Sequence, residues 1–184
     1  GRVTTGTQLS DTWEWNGTVW VLRTPTTSPP PRHNHAMSYD LARERTVLFS
    51  GAVAGSLADT WEWDGTNWSE RSPSTAPPFR DLHAMAYSSV LGRTILFGGF
   101  AGGPKGDTWE WDGTSWAALS PTSSPAARYS TRSVYDSARS RLVLFGGEVG
   151  APVNETWEFD GTTWTQKTPE VSPSLRALHA MAFD

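Results

Sequence analysis

Cysteine is absent from the 184 residues, so the chain has neither disulfides nor thiolate metal ligands. Lysine is nearly absent: Lys105 and Lys167 are the only two among 15 basic residues. The rest are arginines, whose planar fork suits fixed pairing. No basic stripe accompanies the net charge of −4, which argues against nucleic acid as a partner. No apolar run approaches the ~20 residues of a membrane-spanning helix. No signal peptide is visible, and no window carries an apolar stripe of helical period. The composition left is that of an ordinary globular protein, long enough to bury a core.

Tryptophan is abundant, at 11 residues, and it is periodic. The string "DTWEWNGTVW" from Asp11 returns as "DTWEWDGTNW" from Asp59, "DTWEWDGTSW" from Asp107 and "ETWEFDGTTW" from Glu155. Trp13, Trp61, Trp109 and Trp157 are spaced by 48, as are Arg32, Arg80, Arg128 and Arg176, and no insertion disturbs that register. Each unit carries four strand signals. "HAMAYS" (83–88) alternates, "RTILFGG" (93–99) is an apolar run stopped by glycines, "DTWEW" (59–63) alternates, and "NWSERS" (67–72) follows an Asp-Gly turn that accepts positive φ. A proline-rich link, "SPSTAPPFR" (72–80), leads to the next unit.

Four antiparallel strands in such a unit describe a propeller blade. The expected fold is all-β, with four-stranded blades over 32–79, 80–127 and 128–175, a partial blade over 1–31 and a further first strand over 176–184. "GRVTTG" at the start reads as the end of a second strand. Trp61 and Trp63 share a strand face and are expected to form a slab against the next blade. Each ring buries ~150–250 Å², which makes the tryptophans core rather than recognition surface. A blade shared between the two ends would lack the equivalent of "LARERTVLFS". The chain therefore reads as part of a larger propeller, with a four-bladed ring or closure by a second chain as alternatives. Open edges invite self-association.

At these residues the sequence resembles the Kelch repeat family. The shared features are "LFGG" (96–99 and 144–147), the aromatic third strand, the Trp about five residues later and the Pro-rich link ending in Arg. Ser50 departs from the double glycine, and Trp stands where Kelch strands often carry Tyr or Val. The resemblance implies blades around a channel with the first strand innermost, and it implies no single function. Kelch-like propellers include galactose oxidase, but that active site needs a Tyr–Cys crosslink, which this chain cannot form.

Glu14, Glu62, Glu110 and Glu158 alternate with the aromatics and are expected to form buried Glu–Arg pairs. Identical carboxylates in every unit suit a scaffold better than acid–base chemistry at one cleft. His35, His83 and His179 begin the first strands and would approach the channel. The third unit breaks the pattern, with Thr131 for His and Arg132 for Ala. "DGTTW" is similar in composition to a sialidase Asp-box, with different spacing. "NGT" (16–18), "NWS" (67–69) and "NET" (154–156) fit the glycosylation tripeptide.

Strand parity places the second-to-third-strand loops and the inter-blade links on one side. The loops "AVAGSLA" (52–58), "FAGGPKG" (100–106) and "EVGAPVN" (148–154) vary within an otherwise constant frame, which marks them for specificity. The candidate binding residues are Arg132, Phe100, Lys105, Glu148, His35, His83 and His179. The favoured reading is a non-catalytic propeller for protein–protein interaction, within an exported (extracellular or periplasmic) bacterial protein. A carbohydrate-binding propeller is the alternative and a propeller enzyme comes third. No cofactor and no metal site are expected.

Overall fold

The computed structural model describes residues 1, 6–53 and 55–183. Among them there is no helix, and hence none long and apolar enough to cross a membrane. The first hairpin pairs β1 (Thr12–Trp15) with β2 (Trp20–Arg23). A four-stranded antiparallel sheet follows, in the order β3 (Ala36–Asp40), β4 (Arg45–Phe49), β7 (Thr60–Trp63) and β8 (Trp68–Arg71). A small ladder of β5 (Ala52–Val53) and β6 (Gly55–Ser56) sits in its central loop. The second sheet comprises β9 (Ala84–Ser88), β10 (Arg93–Phe97), β11 (Thr108–Trp111) and β12 (Trp116–Leu119). The third comprises β13 (Arg132–Asp136), β14 (Arg141–Phe145), β15 (Thr156–Phe159) and β16 (Trp164–Lys167). The first strands β3, β9 and β13 adjoin one another, so they are innermost. This is an all-β arrangement of propeller blades.

The "GRVTTG" strand falls on residues 2–5, outside the described residues. The strand expected at 176–184 does not form: the chain is coil from 168 to 183. A strand needs a ladder partner, and no second strand lies beside this segment among the described residues. Its path is nonetheless that of an incoming first strand. Gly147 N–H donates to Arg176 O at 2.9 Å, as Gly99 N–H donates to Arg128 O.

The tryptophans of the strings do three jobs, by their place in the string. The first donates locally: the indoles of Trp61, Trp109 and Trp157 reach the carboxylates of Asp59, Asp107 and Glu155 two residues back. The second crosses to the preceding blade. Trp63 Nε1–H donates to Glu14 Oε1 at 2.7 Å and Trp111 Nε1–H to Glu62 Oε1 at 2.9 Å. The third does likewise, from Trp68 to Thr12, Trp116 to Thr60 and Trp164 to Thr108, all at 2.8–3.0 Å. The slab thus faces the preceding blade, not the next one. Period-two alternation puts Trp61 and Trp63 on one face but does not say which neighbour that face meets. Apolar side chains complete each seam, with Phe49 against Trp116 and Phe97 against Trp164, ring centroids 5.1 Å apart in both.

The polar part of the seam differs from blade to blade. Glu62 is 1% exposed. Besides Trp111 it accepts from Arg43 Nη1 at 2.7 Å and Arg71 Nη2 at 2.7 Å. Glu158 likewise pairs with Arg139 and Lys167, and Glu14 with Arg23. Glu110 is half-buried and has no such partner among the described residues. At the places of Arg43 and Arg71 the second blade has Leu91 and Leu119, and the third blade has Phe159 where Trp111 stands. Leu91 packs on Gly161, as Arg43 packs on Gly113. Leu119 joins the cluster of Phe97, Leu142, Phe159 and Trp164. One seam is a charged clip and the next an apolar one, so the expected Glu–Arg pair in every blade fails at Glu110.

Candidate functional site

The arginine before each first strand builds the platform for the variable loops. Arg32 is bidentate on Asp59, at 2.7 and 2.6 Å, and Nη1 also donates to Ser50 O at 2.9 Å. Arg80 repeats this on Asp107 and Gly98 O, whereas Arg128 reaches Glu155 through Nη2 alone and donates from Nη1 to Gly146 O. These arginines therefore pair with the residue heading the third strand, not with the glutamate inside it. Each latch joins the end of the second strand to the start of the third, closing the base of the loop between them. Burial works against ionisation of Asp59, but Arg32 and Trp61 more than offset it, and its pKa lies below the usual carboxylate value. Asp107 and Glu155 follow the same balance.

The double glycine is needed for close approach. A Cβ on Gly99 (φ +106°) would lie 2.8 Å from Asp81 O and 2.9 Å from His83 Cβ. Ser50 occupies the first position of its pair at φ 55°, and its hydroxyl lies 2.6 Å from Arg80 O and from Leu57 O. Above this base the loops 100–106 and 148–154 share one backbone. Lys105 N–H donates to Gly99 O and Val153 N–H to Gly147 O, at 2.8 and 2.9 Å. Their divergence is therefore in side chains. Loop 52–58 instead holds the β5–β6 ladder, and its Ala54 lies outside the described residues.

Bridges Asp81↔Phe100 and Tyr129↔Glu148 bind the starts of the first-strand approaches to these loops, so both lie on one face. Phe100 is 39% exposed and meets Tyr129 edge-on at 5.2 Å. It forms one wall of a groove of about 220 Å³ with Phe79 and Asp81. Glu148 accepts from Tyr129 Oη–H at 2.8 Å, and that bond raises the phenol pKa. Lys105 lies in the loop of Phe100, with no acid partner among the described residues.

At the channel, Arg132 opens β13 and lines a second cavity of about 240 Å³ with His35, Met37, His83, Met85 and Ser133. Its Nη1 donates to Thr131 O at 2.8 Å, and no carboxylate among the described residues pairs with it. Burial lowers its pKa. His83 is buried edge-on to Phe49 at 5.7 Å, and neither ring nitrogen makes a hydrogen bond among the described residues. Burial first, then Arg80, His35 and Arg132, push its pKa down to about 3. His35 is pushed down to about 4, chiefly by burial. His179, in the segment after the third blade, packs on that blade's Phe145 at 5.6 Å, as His83 packs on Phe49. Thr131, in the unit lacking His, donates to Phe145 O at 2.9 Å. Among the described residues no three His, Asp or Glu side chains converge as metal ligands.

Of the candidates, Phe100 lines the aromatic groove and Arg132, His35 and His83 line the channel cavity, whereas Lys105, Glu148 and His179 line neither. Phe79, Asp81 and Tyr129 belong with Phe100, although sequence reasoning passes over them. They stand where other units have Pro31, His33, Ala127 and Ala177, and that variation was the available signal.

No family model matches the chain, and no curated protein matches it. Among solved structures it is similar to that of YjhT, with a TM-score of 0.57 and 17% identity. The match covers 81% of this chain and 48% of that one, so the chain spans about half the length of that relative. At this identity the likeness concerns the fold.

Proposed function

We propose that the chain belongs to a Kelch-type propeller and acts as a non-catalytic binding module, its loop face docking a protein partner. The supporting observation is the placement of aromatics. The second and third tryptophans of the complete blades are buried in seams, whereas Phe79 and Phe100 face solvent beside Asp81 on the loop side. Exposed aromatics around a polar group, on a latched base, suit a protein hot spot. Arg132 adds an unpaired guanidinium at the channel, able to grip a carboxylate bidentately. The recurring carboxylates of the latches and of most seams are occupied as acceptors for Arg and Trp, which leaves them poorly placed for acid–base work.

The test is affinity capture with quantitative mass spectrometry, using wild type, Phe79→Ser/Phe100→Ser, Arg132→Ala and the opposite-face variant Thr66→Glu/Thr114→Glu. Partners should be lost with the first two variants and kept with the third. Loss confined to the Thr66/Thr114 variant would place binding on the hairpin side and refute the proposal.

A further inference from the structure

Phe79, Asp81 and Phe100 form a trio that no other unit of the repeat contains. At the place of Phe79 the other units have Pro31, Ala127 and Leu175, and at that of Asp81 they have His33, Tyr129 and Ala177. Ala52 and Glu148 stand where Phe100 does. A residue that the blade itself needs recurs from unit to unit, as Arg32, Arg80, Arg128 and Arg176 do. The trio answers to no such demand of the fold.

The backbone holds the trio together. Asp81 N–H donates to Phe100 O at 3.1 Å, and Phe100 N–H donates to Asp81 O at 2.8 Å. The side chains of such a pair stand on one face, so the carboxylate and the ring emerge side by side. Phe79, two residues before Asp81, lines the same groove, together with the small residues Gly51, Ala52 and Gly102. Both rings keep exposed surface, 43% for Phe79 and 39% for Phe100. Phe100 is steadied by its edge-on contact with Tyr129.

Two charged residues line the groove, Arg80 and Asp81. Arg80 is fully engaged. Its guanidinium is buried, bidentate on Asp107 and bonded to Gly98 O. Asp81 is not engaged in this way. Among the described residues no cation pairs with it, and its carboxylate has one contact, from Asn34 Nδ2 at 3.4 Å. That distance lies beyond a good hydrogen bond. The groove is thus left with one negative charge between two exposed aromatic rings.

From this we infer that the groove receives the guanidinium of an arginine on the partner. The inference rests on the loop face being the docking face, and it adds the chemistry read there. A carboxylate attracts a cation, and so does the negative face of an aromatic ring. A guanidinium satisfies both at once, because it stacks on a ring while its fork meets two carboxylate oxygens. An ammonium is a compact, strongly hydrated point charge and uses the rings less well. An acidic side chain would be repelled by Asp81. The channel cavity has the opposite sign, since Arg132 is unpaired there. A partner that spans both places therefore presents an arginine to the groove and an acid to the channel.

Proton–nitrogen correlation NMR of the whole chain tests this with single-residue probes. These are the N-acetyl amides of arginine, lysine, citrulline and glutamate, each added to about 20 mM to reach millimolar affinities. Citrulline keeps the shape of arginine and removes its charge. Arginine is expected to shift the amides of 79–81 and 100–102 saturably, and to bind roughly fivefold or more tightly than lysine or citrulline. Glutamate is expected to leave those amides in place. Asp81→Asn should weaken the arginine response by about as much without changing the melting temperature, because the carboxylate has only the Asn34 contact. No arginine response in wild type, an equal response to citrulline or lysine, or an unchanged response in folded Asp81→Asn would each overturn the inference. The wild-type probe series decides it even should the variant unfold. Affinity capture separates this inference from the docking reading beneath it. Partners lost with Phe79→Ser/Phe100→Ser and kept with Asp81→Asn would overturn the guanidinium and leave docking standing.

Discussion

Glu62 and Glu110 are the same residue in consecutive repeats, and their variants should behave differently. Glu62 is buried and accepts from Arg43, Arg71 and Trp111. Its replacement by alanine leaves the Arg71 guanidinium and the Trp111 indole without this acceptor, and Arg43 with Asp40 alone. Breaking a buried pair on one side costs ~3–5 kcal/mol. At ~2–4 °C per kcal/mol for a chain of this size, Glu62→Ala should lower Tm by roughly 10 °C. Glu110 faces Leu91, Leu119 and Phe159 at the corresponding places and has no ion pair among the described residues. Its loss removes no such interaction, so Glu110→Ala should stay within about 2 °C of wild type, and Glu110→Leu should raise Tm. The converse variant is Leu91→Arg/Leu119→Arg/Phe159→Trp, which rebuilds the charged clip. In that background Glu110→Ala should become costly, a coupling that a double-mutant cycle reads. Scanning calorimetry at one fixed protein concentration is the assay. Equal losses for Glu62→Ala and Glu110→Ala in the wild-type background would refute the reasoning, because they would mean the glutamate acts through its strand and not through its partners.

Three more predictions concern the platform and the channel. The unfolded imidazole titrates near pH 6.5, whereas folded His83 and His35 are held to about 3 and about 4. Below pH 6.5 the unfolded chain therefore binds protons that the folded chain refuses. Stability should fall as pH drops, by up to ~1.4 kcal/mol per pH unit for each histidine. His83→Thr, which copies the Thr131 of the third unit, should remove its share of that slope in urea melts between pH 6.5 and 4.5, and an unchanged slope would refute this account. Gly99→Ala forces a Cβ against Asp81 O at positive φ and should cost roughly 2 kcal/mol or more in chemical denaturation; a cost near zero would refute the close-approach reading. Arg80→Ala leaves Asp107 without its bidentate partner but with a partly exposed carboxylate, and should cost ~1–3 kcal/mol. It should also speed amide exchange in loop 100–106, and unchanged exchange there would argue against the latch.

Much of this arrangement was legible in the repeat. The spacing and the Asp-Gly turns located the strands to within a residue or two, because each blade buries both faces and leaves little freedom of register. The direction of the tryptophan slab was not legible, since alternation assigns a face without assigning a neighbour. The partner of Arg80 was hidden for a similar reason: Asp107 lies 27 residues on, and only the closed loop brings them together. The apolar seam at Glu110 could have been found, because Leu91, Leu119 and Phe159 break the repeat together. The groove was half visible: Phe100 stood out in its loop, while Phe79 and Tyr129 lay in links that read only as connections.

The central claim is that the loop face meets a protein partner, and position-specific photo-crosslinking tests it most directly. A benzophenone amino acid is placed at Phe100 in one sample and at Thr114, on the opposite hairpin face, in another. The account predicts a discrete crosslinked partner from position 100 that is lost on Arg132→Ala, and none from position 114. A partner captured from position 114 and not from position 100 would contradict it.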